Sequence, residues 1–323
     1  MEIPILDFGR YQSADSRASL ADEIVHTLET VGFLYLKNHG IPSQQIDQAD
    51  AAAVEYFGQE LSVKKQFPRP SVMTENPGTG YCEIGTERLY ESSVKEVKET
   101  FDFILSDLPE GKAKSAKVLI GPLTNLFNSC AKLTLELFHC IALGLKLPNE
   151  NYFEDKHRRM GGRDANSTAL RVLHYPPFDS AQNEENATRL GAHTDWCSMT
   201  ILFQRGVGGL EVETADNKFI PAPPIAETVL VNIGDILQFW TCSRLKATTH
   251  RVRAVDSEQN SKVRRSIAFF AEPDFDAVVE SLDPRYYFKP EPAGEYILNR
   301  FRHAYHYQER RDFGFMKPQY VSD

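Results

Sequence analysis

The sequence predicts a mainly β protein, an antiparallel barrel or jelly roll with helices packed around it. The first observation is a series of short β-rich segments between residues 199 and 240, separated by glycine and aspartate residues. Short strands punctuated in this way are typical of closed antiparallel folds. The second observation is one long apolar stripe at helical spacing over residues 123–145, which predicts a core helix packed against the barrel.

The elements before this core alternate in type. Residues 3–8 and 33–36 are predicted strands, and apolar residues at helical spacing predict a helix over about 17–30. A second amphipathic helix follows around residues 46–57. Residues 66–96 are rich in proline and glycine without periodicity, and a loop of that length is usually functional or disordered.

The elements of the second half are punctuated by polar segments. Residues 169–177 form a predicted strand that ends at two consecutive prolines, which cannot donate to a sheet. Residues 155–168 are a predicted loop, and the polar segment 179–189 is a predicted surface loop. Near the C-terminus, residues 296–307 are predicted to form a helix with one apolar side.

Composition limits the class of partner and the compartment. A chain of 323 residues is long enough to bury a sizeable core as one unit. Its 36 Lys and Arg residues against 45 Asp and Glu give a net charge of -9, which argues against nucleic acid and anionic membranes as main partners. The five cysteines contain no Cys-x-x-Cys pair, so a reducing cytosol fits best. With neither a signal-like N-terminus nor an apolar run of membrane length, a cytoplasmic location is expected.

The strongest chemical signal is a pair of metal-ligand residue types two positions apart. His193 and Asp195 alternate in extended chain, so the imidazole and the carboxylate can converge on one side. His250, on a separate predicted strand, supplies a second imidazole. Two neutral imidazoles and one carboxylate on one face of a metal leave open positions opposite, which is the ligand set of non-haem Fe(II) oxygenases. A His-x-Asp pair alone is more often a pair of solvated surface residues. His39 and His174 are weaker ligand candidates, because His39 lies at a strand-to-turn corner and alternation points His174 away from Tyr175.

Several motifs surround these residues in a fixed order. The central ones are GAHTD at 191–195, GGLEV at 208–212, VNIGD at 231–235, THRV at 249–252 and RRSIAFF at 264–270. Two more precede them, IPILDF at 3–8 and GFLYLKNHGI at 32–41. Together they resemble the isopenicillin N synthase-like family of 2-oxoglutarate- and Fe(II)-dependent dioxygenases, and the likeness covers roughly residues 1–275.

The resemblance implies a mainly β fold with flanking helices around a double-stranded β-helix, or jelly-roll, core. Residues 1–150 are then expected to pack on the barrel as a region of helices and strands. Residues 165–275 are expected to form the core that holds Fe(II) and 2-oxoglutarate. Residues 276–323 are expected to form a C-terminal segment over the active-site entrance, within one compact unit.

The resemblance also assigns roles to individual residues. His193, Asp195 and His250 are the expected Fe(II) ligands and catalytic residues. Arg264 and Ser266 alternate on one predicted strand, so a guanidinium and a hydroxyl can meet the distal carboxylate of 2-oxoglutarate together. This pair is therefore expected to bind the co-substrate.

A third co-substrate contact is expected from the strand that ends at the prolines. In the resembled family a tyrosine just before this proline helps to hold 2-oxoglutarate, which assigns that role to Tyr175. Many members have asparagine two residues earlier, where this chain has Leu173, so one polar contact is missing. The alternative is that Arg264 belongs to a surface cluster with Lys262 and Arg265. The apolar run that follows this cluster predicts a buried strand and weakens the alternative.

The implied reaction is oxidation of a small-molecule metabolite of secondary metabolism, by hydroxylation, desaturation or ring closure, with succinate and CO2 as co-products. Dioxygen is the expected oxidant and ascorbate a candidate reductant. A monomer or weak homo-oligomer is expected. Two alternatives stay open: a non-haem iron oxidase that consumes no 2-oxoglutarate, and a non-catalytic jelly-roll binding protein.

Substrate-contacting residues are the least constrained, because pocket loops vary freely in the resembled family. Tyr81 and Glu83 are candidates because the corresponding region of that family runs over the barrel mouth. For Arg300, Arg302 and His303 on the last predicted helix, a solvated face is favoured over contact with an acidic substrate. The other candidate substrate residues are Phe101, Phe103, Trp196, Trp240 and Arg244.

Overall fold

The structure, a computed structural model, describes most of the chain. The described residues are 2–70, 78–87, 96–107, 114–162, 164–177, 188–253, 261–306 and 319–321. Of the predicted loop at 179–189, only the last two residues fall within these ranges. Residue 307, the predicted end of the last helix, lies outside them.

Helices and strands occur throughout the described ranges. The helices are α1 (Ala14–Thr30), α2 (Ser43–Phe57), α3 (Leu61–Lys64), α4 (Lys117–Gly144), α5 (Tyr152–Asp155), α6 (Asp235–Trp240) and α7 (Ala293–His306), with a 3-10 turn at Phe8–Gln12. The strands are β1 (Ile5–Asp7), β2 (Phe33–Lys37), β3 (Gly80–Cys82), β4 (Glu99–Phe103), β5 (Ala169–Tyr175), β6 (Leu190–His193), β7 (Met199–Arg205), β8 (Leu210–Glu213), β9 (Phe219–Pro221), β10 (Thr228–Ile233), β11 (His250–Val252), β12 (Arg264–Ala271), β13 (Val278–Val279), β14 (Tyr286–Tyr287), β15 (Glu291–Pro292) and β16 (Gln319–Tyr320).

Two sheets build the predicted jelly-roll core. The larger has eight strands in the order β1-β2-β10-β7-β12-β5-β4-β3, and the smaller has four in the order β6-β11-β8-β9. Side chains from both sheets line one common cavity, so the sheets lie face to face. The N-terminal region joins the core directly, because β2 pairs antiparallel with β10.

The long helix α4 has 28 residues and begins at Lys117, earlier than the sequence predicted. Pro122 lies inside it, where its fixed φ suits a helix but its missing N–H removes one helical hydrogen bond. The helix has the length and composition of a membrane span, yet 56% of its most apolar window is buried inside the protein. It packs against α1, α2 and strand β12, so it is the predicted core helix.

One predicted β-rich segment is helical instead. Residues Asp235–Trp240 form α6, directly after a turn at Gly234. A Cβ on Gly234 would lie 2.0 Å from the carbonyl oxygen of Cys197, so only glycine lets this turn approach the chain after β6 so closely. The Asp235 N–H then donates to the Asp195 carbonyl at 2.8 Å, which ties the start of α6 to the segment that carries Asp195.

Candidate active site

The three predicted metal ligands meet at one end of the four-stranded sheet. His193 ends β6 and His250 begins β11, and the two residues are direct partners across the strands. Asp195 Oδ1 lies 3.7 Å from His193 Nε2 and 3.6 Å from His250 Nε2. The three ligand atoms lie within 4.8 Å of one another, a spacing that a single metal ion can bridge.

Both imidazoles are oriented by the backbone. His193 Nδ1 lies 2.9 Å from the carbonyl oxygen of Gly191, and His250 Nδ1 lies 3.1 Å from that of Thr248. A carbonyl only accepts, so each Nδ1 carries the hydrogen and each Nε2 keeps its lone pair for a metal. Burial first, and then the neighbouring His250, lowers the pKa of His193, which keeps it neutral.

Two side chains fix the carboxylate. Asp195 Oδ2 accepts hydrogen bonds from Thr200 Oγ1 at 2.6 Å and from Asn232 Nδ2 at 2.7 Å, which leaves Oδ1 toward the histidines. Burial alone would raise the pKa of Asp195, but the two imidazoles and these hydrogen bonds outweigh it and lower the pKa. Sequence reasoning assigned no role to Thr200 or Asn232. The available signal was a polar residue within an apolar strand, since buried polar groups need partners.

The three predicted co-substrate residues also lie together. Arg264 on β12 is the direct partner of Tyr175 on β5, and its guanidinium carbon is 4.9 Å from the centre of the Tyr175 ring. Arg264 is 1% exposed and donates to the Gly208 carbonyl at 3.1 Å and to Ser266 Oγ at 3.4 Å. Among the described residues, no carboxylate pairs with it. A buried cation without a counterion is costly, so this arrangement suits an anionic ligand.

The alternative of a surface cluster is wrong for Arg264. Its neighbour Arg265 points to the opposite face of β12, where it pairs with Asp50 at 2.9 Å. His174, the neighbour of Tyr175, likewise turns away and stacks on Phe57 with ring centres 4.9 Å apart. Strand alternation therefore places Arg264 and Arg265 on opposite faces, and likewise Tyr175 and His174, as predicted.

A cavity between the two sheets connects the metal ligands to Arg264. Its empty volume is about 440 Å³, which includes some open solvent at its mouth. Leu173 lines it where many members of the resembled family have asparagine. Its other lining residues include His193, Asp195, His250, Tyr175, Arg264, Ser266, Phe33 and Asn232.

A second buried guanidinium lies close to the first. Arg189, predicted to end a surface loop, is instead fully buried and donates to the carbonyl of Lys262 at 3.2 Å. Its Nε and Nη1 have no hydrogen-bond partner in the ranges that the structure describes. Burial lowers its pKa, and the nearby charge of Arg264 lowers it further. The sequence feature that could have indicated its burial is its position directly before the partly apolar strand β6.

Comparison with known proteins gives the family. The family model described as 2OG-Fe(II) oxygenase superfamily matches residues 167–273, and one described as non-haem dioxygenase in morphine synthesis N-terminal matches 3–121. The chain is 33% identical over 308 residues to the 2-oxoglutarate-dependent dioxygenase htyE of Aspergillus rugulosus, covering 87% of this chain and 91% of that protein. This chain belongs to the 2-oxoglutarate–Fe(II) oxygenase superfamily.

Other relatives agree with this family in sequence and in structure. The proline hydroxylase buaE of Petromyces alliaceus is 31% identical over 301 residues, covering 87% of this chain and 91% of that protein. A full-length Neurospora crassa protein solved with alpha-KG superposes with a TM-score of 0.81 at 28% identity, covering 93% of this chain and 95% of that one. The structure of JOX2 with 2OG, Fe and JA gives a TM-score of 0.75 at 25% identity, with 92% and 84% covered. The protein is therefore a 2-oxoglutarate-dependent Fe(II) dioxygenase that oxidises small-molecule metabolites.

The dioxygenase has a second cavity that also reaches His193 and Asp195. Its empty volume is about 600 Å³, which includes some open solvent at its mouth. Trp196, a predicted substrate residue, lines it and meets Phe301 of α7 edge to face with ring centres 5.3 Å apart. The other lining residues are Arg69, Asp102, Ile104, Ser167, Ala169, Arg171, Thr194, Cys197, Phe270 and Glu272.

The prediction of a solvated face on the last helix is wrong for Arg300. The residue is 2% exposed, and its guanidinium carbon lies 5.1 Å from the centre of the Trp196 ring. Phe301 follows it and lines the second cavity. Helix α7 therefore supports a wall of this cavity, whereas Arg302 remains exposed.

The structure places the other predicted substrate residues away from the lining of this cavity. Tyr81 is buried and donates to Glu99, and Glu83 pairs with Lys65 at 2.7 Å near the surface. Phe101 lies in the hydrophobic core. Three more residues have their own partners elsewhere: Phe103 packs on Phe127, Trp240 donates to the Val278 carbonyl, and Arg244 pairs with Glu29.

Proposed function

We propose that His193, Asp195 and His250 hold Fe(II) in this dioxygenase, and that the cavity between the sheets holds 2-oxoglutarate. The observation that carries the metal assignment is the pair of backbone hydrogen bonds at Nδ1, which leaves both Nε2 atoms facing Asp195 Oδ1. A donor set of two imidazole nitrogens and one carboxylate oxygen fits Fe(II) with open positions for its other ligands.

The co-substrate assignment rests on charge. Arg264 is a buried fork-shaped donor beside Ser266 and Tyr175, and all three line the cavity that reaches the proposed metal ligands. A guanidinium binds a carboxylate through two parallel hydrogen bonds, and the Ser266 hydroxyl adds a third donor. The distal carboxylate of 2-oxoglutarate would therefore lie at Arg264. Leu173 offers no polar contact there.

Fe(II) with 2-oxoglutarate and dioxygen supplies the oxidising chemistry, in which the substrate loses hydrogen from a C–H bond while succinate and CO2 form. The chain's part is to hold and orient the reactants and to exclude water. Thr200 and Asn232 keep Asp195 in its ligand orientation. The second cavity would hold the substrate with its reacting carbon beside His193 and Asp195.

The finer points of function are proposals too. Hydroxylation, desaturation and ring closure all fit the site, and a role in secondary metabolism is supported by relatives named as a proline hydroxylase and as htyE. The Neurospora crassa protein has also been solved with thymine, and JOX2 with JA, so small metabolites of different shapes fit this fold. We further propose dioxygen as oxidant, ascorbate as reductant, and a cytoplasmic monomer or weak homo-oligomer.

The experiment tests iron binding and 2-oxoglutarate consumption separately. Under anaerobic conditions, Fe(II) plus 2-oxoglutarate should give a weak visible charge-transfer band. In air with ascorbate, isotope-labelled 2-oxoglutarate should yield labelled succinate above an iron-free control, measured by mass spectrometry. Iron binding without the band or succinate, even with the true substrate present, would replace the proposal with the 2-oxoglutarate-independent oxidase. Failure to bind iron would favour a binding protein.

A further inference from the structure

We infer that Glu272 and Ser167 form a recognition pair for an amide group of the substrate, with Glu272 accepting from its N–H and Ser167 donating to its carbonyl. The inference rests on the proposed function, because it assumes that the 600 Å³ cavity beside His193 and Asp195 receives the substrate. It adds the chemical class of the group that is recognised there.

Each of the two buried side chains has a polar atom without a hydrogen-bond partner among the described residues. Glu272 is 4% exposed and Ser167 is 3% exposed, and both line the second cavity. Within the described part of the chain, Glu272 Oε2 and Ser167 Oγ have no hydrogen-bond partner. Most buried polar atoms in proteins are hydrogen-bonded, so two orphaned atoms on one cavity point to a ligand that supplies the partners.

The backbone that carries the pair is firmly held. The Glu272 N–H donates to Thr168 Oγ1 at 3.0 Å, and its carbonyl accepts from Asn166 Nδ2 at 2.7 Å. Asn166 Oδ1 in turn accepts from the Thr168 N–H at 2.7 Å. These bonds join the segment around Ser167 to the end of β12, so the two side chains come from adjoining stretches of fixed backbone.

The other charged residues of the cavity are already engaged. Arg171 donates both prongs to Asp102 at 2.6 and 3.0 Å, and Arg69 lies 2.9 Å from the same carboxylate. Among the described residues, no lysine or arginine forms an ion pair with Glu272. Its carboxyl is therefore available to the substrate.

An amide is the group that satisfies both orphaned atoms. A carboxyl accepts an N–H hydrogen bond whether it is ionised or protonated, so the assignment does not depend on the charge of Glu272. A serine hydroxyl can donate to a carbonyl. A secondary or cyclic amide presents an N–H and a carbonyl oxygen close together, while Trp196, Phe270 and Phe301 supply apolar walls for the remainder.

The first test asks whether the Glu272 carboxyl stabilises the fold or only serves to bind a ligand. In the Fe(II)- and 2-oxoglutarate-loaded protein under anaerobic conditions, Glu272→Leu should raise Tm by about 2–4 °C, because it removes an unsatisfied buried group. The matched control is Glu99→Leu, which should lower Tm because Glu99 is buried with Lys64 and Tyr81 as partners. A lower Tm for Glu272→Leu would overturn the inference, since the carboxyl would then stabilise the fold.

The second test asks whether the pair recognises an amide. The probes are 2-piperidone and N-methyl-2-piperidone, which differ at the N–H, and calorimetry gives their dissociation constants. The wild-type protein should bind 2-piperidone up to about tenfold more tightly, since a typical hydrogen bond contributes about 0.5–1.5 kcal/mol and about 1.4 kcal/mol corresponds to a tenfold change. Glu272→Leu should reduce the ratio to about one, and Ser167→Ala should weaken 2-piperidone binding.

Each outcome of the second test decides the inference. Equal affinities in the wild-type protein, no binding of either probe, or a ratio that survives in Glu272→Leu would overturn it. Failure of the proposed function is distinguishable, because wild-type succinate formation reports on iron and 2-oxoglutarate alone. A protein that forms succinate but shows no N–H preference keeps the proposed function and loses the amide assignment.

Discussion

The two cavities that meet at His193 and Asp195 are built in different ways. The cavity between the two sheets, the proposed co-substrate cavity, is lined mainly by regular strands of both sheets, and its key residues share a face of β12 or pair directly across to β5. The second cavity, the proposed substrate cavity, combines residues from β4, β5, the end of β12, the turn after β6, irregular segments and α7. The first is thus fixed by the pleat of the sheet, whereas the second depends on how distant segments pack together.

The largest expected effect lies where both cavities meet. Asp195→Ala should abolish Fe(II) binding and succinate formation, because it removes the proposed oxygen ligand between the two imidazoles. Metal analysis and mass spectrometry of succinate measure the two losses. Asp216→Ala is the matched control, since Asp216 lies in an exposed turn with Lys218 as its partner. Normal iron content in Asp195→Ala would remove Asp195 from the ligand set.

The second-largest expected effect concerns 2-oxoglutarate binding in the proposed co-substrate cavity. Arg264→Gln should raise the apparent KM for 2-oxoglutarate by roughly 10- to 150-fold, because a hydrogen bond to a charged group contributes about 1.5–3 kcal/mol. Arg264→Lys should recover only part, since an ammonium cannot form the two-pronged contact. Arg265→Gln, which affects only the Asp50 pair on the other face of β12, is the control. Equal effects at both positions would contradict the proposed carboxylate anchor.

A third substitution tests the support of the metal ligands. Thr200→Val keeps the shape of the side chain but removes the 2.6 Å hydrogen bond to Asp195 Oδ2. The affinity for Fe(II) should fall by about 10- to 100-fold, as is typical when a partner of a metal ligand is lost. Anaerobic iron titration measures the change, with Thr228→Val as a control on the neighbouring strand. An unchanged affinity would mean that Asn232 alone orients the carboxylate.

The smallest expected effect on co-substrate binding comes from the substrate cavity. Trp196→Ala should leave the KM for 2-oxoglutarate within about twofold, but it should lower Tm by a few degrees, on the order of 2–4 °C per kcal/mol lost, because it removes the packing on Arg300 and Phe301. Trp196→Phe should restore most of the stability. A large change in the KM for 2-oxoglutarate would show that the two cavities are not separable.

Sequence reasoning succeeded where a site depends on alternation within single strands. The shared face of Arg264 and Ser266 follows from the pleat, and so does the outward turn of His174. His193 and Asp195 also converge as their spacing predicted, although Asp195 lies two residues beyond the end of β6. The short punctuated strands predicted the antiparallel barrel or jelly roll, and the ordered motifs added the family.

Sequence reasoning failed where contacts join distant parts of the chain. Phe101 and Phe103 lie on β4 as expected of a strand, but their side chains pack into the core, and nothing local to β4 specifies which face is covered. Arg189 and Arg300 looked like solvated charges because local polarity does not reveal the segments that bury them. Glu272 and Ser167 are 105 positions apart, so only the fold brings them to one cavity.

The buried guanidinium groups of Arg264 and Arg189 have a consequence for how long the enzyme survives. Both charges lie in the interior, and no carboxylate pairs with them among the described residues. A ligand that binds only the folded state stabilises it by about 2.7 kcal/mol at 100 times its Kd. When local opening is fast relative to cleavage, proteolysis follows the population of the open form. Degradation should therefore slow as 2-oxoglutarate accumulates, so that a larger supply of this metabolite would prolong the lifetime of the enzyme.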